Sequence, residues 1–258
     1  SEGKLLMLDR TGNKINQFEF ERFMSPDEVL MPVMIKGKWG YAGKTGTLFI
    51  EPKFDSVAPF NEGLARVRVA EKWGFIDQTG SMLIPLSFDF ANGFQEGLAP
   101  VKIGEKFGYI DNKGVIRIEP QFEGVLNFQN GFAQIMCDGK WGCINQAGQV
   151  AIPPQFDWID SFCDAFAGIK IGGKAGFIDT TGKVIIEPIF DKVSYFSEGY
   201  APVKIGKEWG YIDKKGDIAI RCHFSYAGSF EDEIASVEID GKEGYINNQG
   251  EYIWIPTQ

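Results

Sequence analysis

The chain has 258 residues, 44% hydrophobic and 24% charged, which is typical of a soluble folded protein rather than a disordered one. Its formal net charge of −9 argues against binding to nucleic acid, because phosphate-backbone affinity needs clustered lysine and arginine. No apolar run reaches the roughly 18 residues of a membrane-spanning helix, so membrane insertion is not expected.

A Trp-Gly pair recurs every 34 residues, at Trp39-Gly40, Trp73-Gly74, Trp141-Gly142 and Trp209-Gly210. At the same spacing the first position also holds Phe107, Ala175 and Glu243, each followed by glycine. A fixed period of this length predicts tandem units that bury their apolar faces by stacking on neighbours. We therefore expect residues 1–258 to form a single repeat domain.

Residues 1–37 are predicted to be an atypical repeat that caps the N-terminal end. Leu5 and Leu6 stand where Trp39 and Gly40 stand one period later, and the stretch from Phe18 to Met34 fits the pattern poorly. Terminal units that differ from internal ones are typical of repeat arrays.

Residues 38–242 are predicted to be regular repeats, each an antiparallel meander of three strands. In one copy the runs 98–103, 107–110 and 115–118 are rich in β-branched and aromatic residues. A glycine-containing turn joins the first two runs, and an Asp-x-x-Gly turn from Asp111 to Gly114 joins the second to the third. Residues 243–258 read as a C-terminal partial repeat.

The rest of each repeat carries a Phe-acid pair and, later, a second phenylalanine. The pairs are Phe54-Asp55, Phe88-Asp89, Phe122-Glu123, Phe156-Asp157 and Phe190-Asp191, and the second phenylalanines are at 60, 94, 128, 162, 196 and 230. These rings, together with the Trp position, are expected to exclude water between successive repeats. A column of alanines from Ala65 to Ala235 is expected to pack directly against a backbone or a ring.

The side chains that could carry catalysis are few. His223 is the only histidine, so a multi-histidine zinc site is excluded and a surface position is expected. The four cysteines fall on four different repeat positions and are predicted to be free thiols, with Gln134 rather than Cys137 facing Cys143. Free thiols favour a reducing compartment, although the absence of an apolar leader at Ser1 leaves localisation open between the cytoplasm and the cell exterior. No cofactor is expected.

Two columns of carboxylates recur, one in the Asp-x-x-Gly turns and one in the Phe-acid pairs. We expect both to cap turns and loops, with Ca²⁺ binding or a glycosidase pair as alternatives. Lysines one residue before the Trp position form a column of opposite charge, at 38, 72, 106, 140, 174 and 242.

Positions at which the repeats disagree are the best candidates for function. The position two residues after the first phenylalanine of the Phe-acid pair holds Phe90, Trp158 and Tyr226 in every second repeat. These three are the predicted partner-binding residues, because exposed aromatic side chains suit a sugar ring or a partner side chain. Packing against a neighbouring loop is the alternative. Ala175 in the Trp position removes a large side chain between the fifth and sixth repeats, and we expect a larger neighbour to fill that space.

The repeated residues resemble those of the WG-repeat family, also called KWG repeats, which is widespread in bacterial proteins. The pattern Gly-Lys-Trp-Gly-Tyr-Ile-Asp-x-x-Gly, then Ile-x-Pro-x-Phe-Asp and Glu-Gly-x-Ala, is carried almost completely by residues 37–65, 71–99 and 199–211. Ala175 and Glu243 lose the aromatic side chain, and Gly43 replaces the turn aspartate. The resemblance implies a structural repeat without enzyme activity, used as a binding or surface-interaction module.

The expected fold is all-β: tandem 34-residue three-stranded meanders in an open, twisted, solenoid-like array, with a seven-bladed β-propeller as the alternative. The expected function is a non-enzymatic protein-protein interaction scaffold, whose specificity lies in Phe90, Trp158, Tyr226 and the irregular stretch from Met24 to Met34. A carbohydrate-binding module of the bacterial cell envelope is the alternative, and a carboxylate-only hydrolase is a third hypothesis.

Overall fold

The computed structural model describes residues 11–12, 20–24 and 29–254. Leu5 and Leu6, at the Trp-Gly position of the predicted N-terminal cap, lie outside these residues, as do residues 255–258 of the predicted C-terminal partial repeat. The chain divides into two compact units, residues 1–128 and 129–258, hereafter the N-terminal and C-terminal units.

Twenty-eight strands make up the secondary structure of the described residues, in a pattern that repeats every four strands. The first strand of each group has two residues: Arg22–Phe23 (β1), Ser56–Val57 (β5), Phe90–Ala91 (β9), Gly124–Val125 (β13), Trp158–Ile159 (β17), Lys192–Val193 (β21) and Tyr226–Ala227 (β25). The second has six: Leu30–Ile35 (β2), Leu64–Val69 (β6), Leu98–Ile103 (β10), Phe132–Cys137 (β14), Phe166–Ile171 (β18), Tyr200–Ile205 (β22) and Ile234–Ile239 (β26).

The third strand begins at the lysine column or its equivalent: Lys38–Gly43 (β3), Lys72–Asp77 (β7), Lys106–Asp111 (β11), Lys140–Asn145 (β15), Lys174–Asp179 (β19), Glu208–Asp213 (β23) and Lys242–Asn247 (β27). The fourth strand ends on the first phenylalanine of the Phe-acid pair or its equivalent, except in the last group: Leu48–Phe54 (β4), Met82–Phe88 (β8), Ile116–Phe122 (β12), Val150–Phe156 (β16), Val184–Phe190 (β20), Ile218–Phe224 (β24) and Tyr252–Trp254 (β28).

Each sheet is antiparallel, and its strands lie in the order in which they occur in the chain. The N-terminal unit holds the sheets β1–β4, β5–β8 and β9–β12. The C-terminal unit holds β17–β20, β21–β24 and β25–β28, preceded by the long strands β14–β16. The all-β class and the tandem antiparallel meanders are therefore confirmed, and each meander gains a fourth, two-residue strand beside its first long strand. The preference for an open array over a propeller stays a prediction.

The glycine of the Trp-Gly pair is required by a bulge in the fourth strand, which lies opposite it. The pairing of β7 with β8 shifts register between Trp73 and Phe75, which brings the β8 backbone close to Gly74. A Cβ atom on Gly74 would lie 2.5 Å from the carbonyl oxygen of Ile84. The same close approach occurs at Gly40, Gly108, Gly142, Gly176 and Gly210, so the bulge explains why these repeats keep the glycine while the residue before it varies.

Aromatic rings pack between consecutive sheets within each unit. Phe75 of β7 meets Phe94, which precedes the next sheet, with ring centroids 4.9 Å apart, and Tyr211 meets Phe230 at the same separation. Phe94 and Phe230 are almost fully buried, as are the alanines of the predicted column. Phe88 and Phe224, the first phenylalanines, are buried in the same clusters as Phe94 and Phe230. The predicted packing of both phenylalanines between successive repeats is confirmed in each unit.

The 34-residue register of the repeats extends towards the N-terminus as far as Phe20. Phe20 is fully buried and Glu21 follows it, so this pair takes the role of Phe54-Asp55 one period earlier. The Glu21 carboxylate accepts hydrogen bonds from the backbone N–H groups of Lys36 (2.8 Å) and Gly37 (3.1 Å). Residues 20–24 and 29–35 thus keep the register of the internal repeats, with glutamate in place of the shorter aspartate capping the same turn. The assignment of residues 1–37 as an atypical cap stays a prediction.

Candidate functional site

One row of side chains crosses each sheet at the position of the predicted binding residues. In the sheet β9–β12, Phe90 faces Lys102, Lys102 faces Phe107, and Phe107 faces Phe122. Directly opposed residues of antiparallel strands project from the same face of a sheet. We call this four-residue set the cross-strand row; in the sheet β17–β20 it consists of Trp158, Lys170, Ala175 and Phe190.

Phe90 begins β9 and is 38% exposed. Its ring lies between two other rings, with centroids 6.4 Å from Trp73 of the preceding sheet and 6.0 Å from Phe107 of its own row. Lys102 completes the arrangement, with its Nζ atom 5.6 Å from the centroid of Phe107. Phe90 is thus a packed side chain with one edge exposed, and its assignment as a binding residue stays a prediction.

Trp158 begins β17 and is 44% exposed. It has a ring neighbour in the preceding sheet, Trp141, in an edge-to-face arrangement with centroids 5.6 Å apart. On its other side its own row offers Ala175, where Phe107 stands in the row of Phe90. One half of the aromatic contact that surrounds Phe90 is therefore missing around Trp158.

A pocket of about 180 Å³ occupies this place, lined by Trp158, Asp160, Gly168, Ile169, Lys170, Ala175, Lys192 and Val193. The expectation that a larger neighbour fills the space left at Ala175 was wrong. The neighbour on the adjacent strand is also small, because Gly168 stands where the corresponding strands carry Arg66, Pro100, Gln134 and Pro202. Two small residues in one repeat leave what we call the Ala175 pocket.

Tyr226 begins β25, is 52% exposed, and borders a polar cleft. The cleft has a volume of about 580 Å³ and is lined by Tyr195, Tyr226, Gly228, Ser229, Glu231, Asp232, Ile234, Ser236 and Tyr245. A second hollow of about 470 Å³ adjoins it, bounded by Tyr226, Glu238, Glu243 and Tyr245 among others. Glu243 replaces the tryptophan of the repeat here, so the loss of that ring again coincides with an open surface beside the predicted residue.

The carboxylates of the Phe-acid pairs are held by the lysine column. Lys140 Nζ lies 2.5 Å from Asp157 Oδ1, and Asp157 Oδ2 accepts a hydrogen bond from the Gly172 N–H at 2.7 Å. The Lys140 hydrogen bond is the main reason that the pKa of Asp157 lies below its usual value, and the backbone N–H of Gly172 adds to the effect. The ammonium and the amide occupy both oxygens, as a turn cap requires.

The turn carboxylates have backbone partners. Asp77 Oδ1 accepts from the N–H groups of Thr79 (2.9 Å) and Ser81 (3.0 Å). The Thr79 hydroxyl also donates to it and is the largest cause of the lowered pKa of Asp77. Among the described residues, no group of three or more His, Cys, Asp and Glu side chains is placed to hold a metal ion.

The remaining candidate residues are structural in their contacts. His223 is exposed, stacks on Phe224, and its Nδ1 atom lies 2.7 Å from the Arg221 carbonyl oxygen. All four cysteines are free thiols, as predicted, and Gln134 faces Cys143 across the hairpin. Burial raises the pKa of the Cys143 thiol to about 12. In the stretch from Met24 to Met34, Met31 and Val33 are buried, whereas Val29 is 78% exposed, and the role of this stretch in specificity stays a prediction.

Some residues of the candidate site were not identified when the repeats were compared with one another. Gly168, Lys170 and Lys192 line the Ala175 pocket, and Tyr195 and Tyr245 line the cleft beside Tyr226. Gly168 was detectable from sequence as a second exception in the repeat that carries Ala175. Tyr195 has no such signal, because its place beside Tyr226 arises from the packing of one sheet on the next.

The described residues contain no helix long and apolar enough to span a membrane. They form a tandem array of four-stranded sheets whose sequence exceptions open onto the surface, which places the protein in the class of β-sheet repeat proteins. The chain belongs to the family described as WG containing repeat, whose repeat is matched at residues 39–73, 73–107, 107–141, 141–174, 176–209 and 209–242. The family predicted from the Trp-Gly pattern is thus confirmed. No curated protein shows significant sequence similarity to the chain.

Several solved structures match the chain at low sequence identity. A eukaryotic initiation factor matches with a TM-score of 0.64 at 12% identity, over 98% of this chain and 83% of that one. Hsv2p of Kluyveromyces lactis matches with a TM-score of 0.49 at 10% identity, over 90% and 95% of the two chains. PorZ, a bacterial surface component of the type-IX secretion system of Porphyromonas gingivalis, matches with 0.39 at 10% identity, over 98% and 39%. The first of these similarities shows a common fold, and at this identity it carries no information on function.

Proposed function

We propose that this protein is a non-enzymatic scaffold that binds a protein partner through its exposed aromatic residues. The observation that carries the proposal is the position of Trp158 and Tyr226. Each begins a short strand, is fixed by strand pairing, and borders an open hollow where the repeat has lost its tryptophan. Rigid aromatic side chains beside a pocket are the residues that most often dominate the energy of a protein interface.

Phe90 belongs to the proposed surface as a secondary contact. Because its ring already packs against Trp73 and Phe107, a partner gains less area from it than from Trp158. The carboxylates of the Phe-acid pairs also support a non-enzymatic role. They form ion pairs with the lysine column, so they serve to hold the fold together rather than to act on a substrate.

The proposal is tested by capture on the immobilised full chain, with lysates and a panel of glycans at physiological salt. We expect a polypeptide retained in stoichiometric amount, with affinity reduced about 30-fold or more in the variants Trp158→Ala and Tyr226→Ala, as for the loss of a dominant interface residue. Ile189→Ala removes a side chain that is 66% exposed but lies outside both hollows, and this control retains the partner. A partner that binds the Trp158→Ala/Tyr226→Ala double variant as tightly as the unchanged protein contradicts the proposal.

A carbohydrate-binding module of the cell envelope is a second candidate, favoured by the cleft beside Tyr226. Three tyrosines, two carboxylates and two serine hydroxyls line this cleft, a combination that suits stacking on a sugar face and hydrogen bonds to its hydroxyls. Retention of a glycan alone, lost in Tyr226→Ala and in Tyr195→Ala, supports this function instead of the scaffold.

A further inference from the structure

The Ala175 pocket reproduces the space that an aromatic side chain fills in five of the other sheets, at Trp39, Trp73, Phe107, Trp141 and Trp209. In the row of the next sheet, the equivalent position holds Trp209, and Lys204 Nζ lies 5.8 Å from the centroid of its ring. Lys102 takes the same position over Phe107 in the sheet β9–β12. Lys170 occupies the same place in its row, opposite Ala175, so its ammonium faces a position without a ring.

The pocket therefore has three of the contacts that an aromatic ring makes in this fold. Trp158 offers the edge-to-face neighbour that Phe90 gives Phe107, Lys170 offers the cation over the ring face, and Ile169 and Val193 belong to the apolar part of the lining. Its volume of about 180 Å³ is sufficient for one ring, since apolar cavities of roughly 150 Å³ bind benzene in other proteins.

The rim of the pocket carries positive charge that is not neutralised by ion pairs within the part of the chain described by the structure. Lys170 and Lys192 line it, and neither has a carboxylate within salt-bridge distance among these residues. Asp160 also lines the pocket, and its Oδ1 atom accepts a hydrogen bond from the Ser161 N–H at 2.8 Å. The lining thus carries two positive charges and one negative charge, and this positive excess is complementary to carboxylates that flank an aromatic group.

We propose that the Ala175 pocket binds the aromatic side chain of a partner polypeptide whose adjacent residues are acidic. This proposal deepens the scaffold function, on which it rests, by naming the contact through which the partner docks. The guest ring takes the place of the missing tryptophan, between Trp158 and Lys192, with Lys170 over its face.

The test uses the ¹⁵N-labelled full chain and the capped peptide acetyl-Asp-Phe-Asp-amide, followed by NMR. We expect a saturable shift of the Trp158 indole N–H signal at millimolar peptide. Acetyl-Asp-Ala-Asp-amide and acetyl-Lys-Phe-Lys-amide bind about three- to tenfold more weakly, the first without a ring and the second with the wrong charge for the two lysines. The net charge of −9 attracts the lysine peptide to the protein as a whole, so a preference for the acidic one reports the local lysines.

The decisive variant is Ala175→Trp, which supplies the ring from within the chain and is expected to abolish peptide binding. Its matched control is Phe107→Trp, which places the same side chain at the same position of a row that is already filled, and which leaves binding unchanged. Gly168→Pro narrows the pocket with the residue found at Pro100 and Pro202 and gives a second, independent loss. Thermal unfolding of each variant checks that the fold is retained.

Binding that survives Ala175→Trp, equal affinity for the lysine peptide, or no shift at Trp158 overturns the proposal. Its failure is distinguishable from failure of the scaffold function. A captured partner that needs Trp158 but binds Ala175→Trp normally leaves the scaffold intact and removes the pocket, whereas peptide binding in the pocket without any captured polypeptide supports the pocket and contradicts the scaffold.

Discussion

At the scale of the residue, the two members of the Trp-Gly pair are subject to different structural constraints. The glycine is fixed by backbone geometry, because the bulge brings a carbonyl oxygen within 2.3 to 2.6 Å of where a Cβ atom would be in six of the repeats. The residue before it packs through its side chain only. It is tryptophan, phenylalanine, alanine or glutamate in different repeats, and the second and third strands pair in the same register in each case.

The first prediction concerns this glycine. In Gly74→Ala the new Cβ atom would meet the Ile84 carbonyl oxygen at 2.5 Å, so the strands β7 and β8 must move apart. We expect the free energy of unfolding to fall by about 1–3 kcal/mol, the usual cost of overpacking a well-packed site. Urea unfolding followed by tryptophan fluorescence measures the change.

Gly93→Ala is the control, because a Cβ atom at Gly93 meets no atom within 4 Å and its φ is not positive. We expect its unfolding midpoint to stay within experimental error of the unchanged protein. Equal midpoints for Gly74→Ala and Gly93→Ala would show that the bulge does not need glycine.

At the scale of the element, carboxylates of the Phe-acid pairs join neighbouring segments of the fold. Asp157 follows β16, bonds to Lys140 at the start of β15, and accepts from the Gly172 N–H in the turn after β18. Asp55, Asp89 and Asp191 make the same pair of contacts in their repeats. Each therefore ties the turn of one hairpin to a strand of the sheet before it.

The second prediction is a loss of stability in acid that depends on these aspartates. Their pKa values are lowered in the folded protein, first by the lysine hydrogen bond, so the folded state binds protons less readily than the unfolded state. The stabilisation is complete above the unfolded pKa of about 4 and is lost as pH falls through the lower folded value. We expect the stability difference between the unchanged protein and Asp157→Asn to shrink as pH falls below about 4.

Urea unfolding at a series of pH values measures this difference. Glu105→Gln is the control, since Glu105 forms a single ion pair with Lys102 at 3.6 Å with a side chain that is 94% exposed, and such pairs contribute little. A difference for Asp157→Asn that is constant with pH would mean that its carboxylate does not act through its charge.

The sequence predicted the elements better than it predicted the site. The long strands, the Asp-x-x-Gly turns and the buried phenylalanines follow from a period of 34 residues, because each repeat must satisfy the same backbone and the same neighbour. The two-residue strands were not predicted because their first residues differ in strand propensity: Phe90 favours a strand, whereas Ser56, Gly124 and Lys192 do not. Pairing with the following long strand imposes the extended conformation there.

The site was predicted in part, since Trp158 and Tyr226 were identified as exceptions but their surroundings were not. The Ala175 pocket depends on the size of Gly168, which lies seven residues away in sequence and on the adjacent strand. Whether a neighbouring side chain fills such a space depends on the volumes of residues on adjacent strands and sheets. The alignment of repeats along the sequence does not show which of these residues are in contact.

At the scale of the whole molecule, the open array and the seven-bladed propeller make different demands on the number of repeats. In an open array each repeat contacts only its neighbours, so stability is approximately a sum over repeats and interfaces. A ring needs a fixed number of blades, since each contributes a set share of the full turn. The number of repeats is therefore the variable to change.

The third prediction is that the chain tolerates deletion of residues 64–97, one whole repeat. The new junction joins Gly63 to Leu98, which restores the Gly-Leu sequence of the natural Gly97–Leu98 step. For the open array we expect a soluble protein with cooperative unfolding and a stability lower by about 2–5 kcal/mol, the share of 34 residues in an ordinary domain. Circular dichroism and urea unfolding measure both properties. Loss of cooperative unfolding after this deletion, with the single-residue variants still folded, would favour the propeller.

The bulge glycine also bears on how proteins of this kind can change over generations. Because the fold depends on the glycine and accepts different residues before it, substitutions within one repeat, as at Gly168 and Ala175, can leave a surface pocket while the strand pairing is kept. Lineages can thus exchange ligands one repeat at a time, without passing through unfolded ancestors. Within a single chain, each repeat offers its own surface site, on which selection for a new partner can act separately.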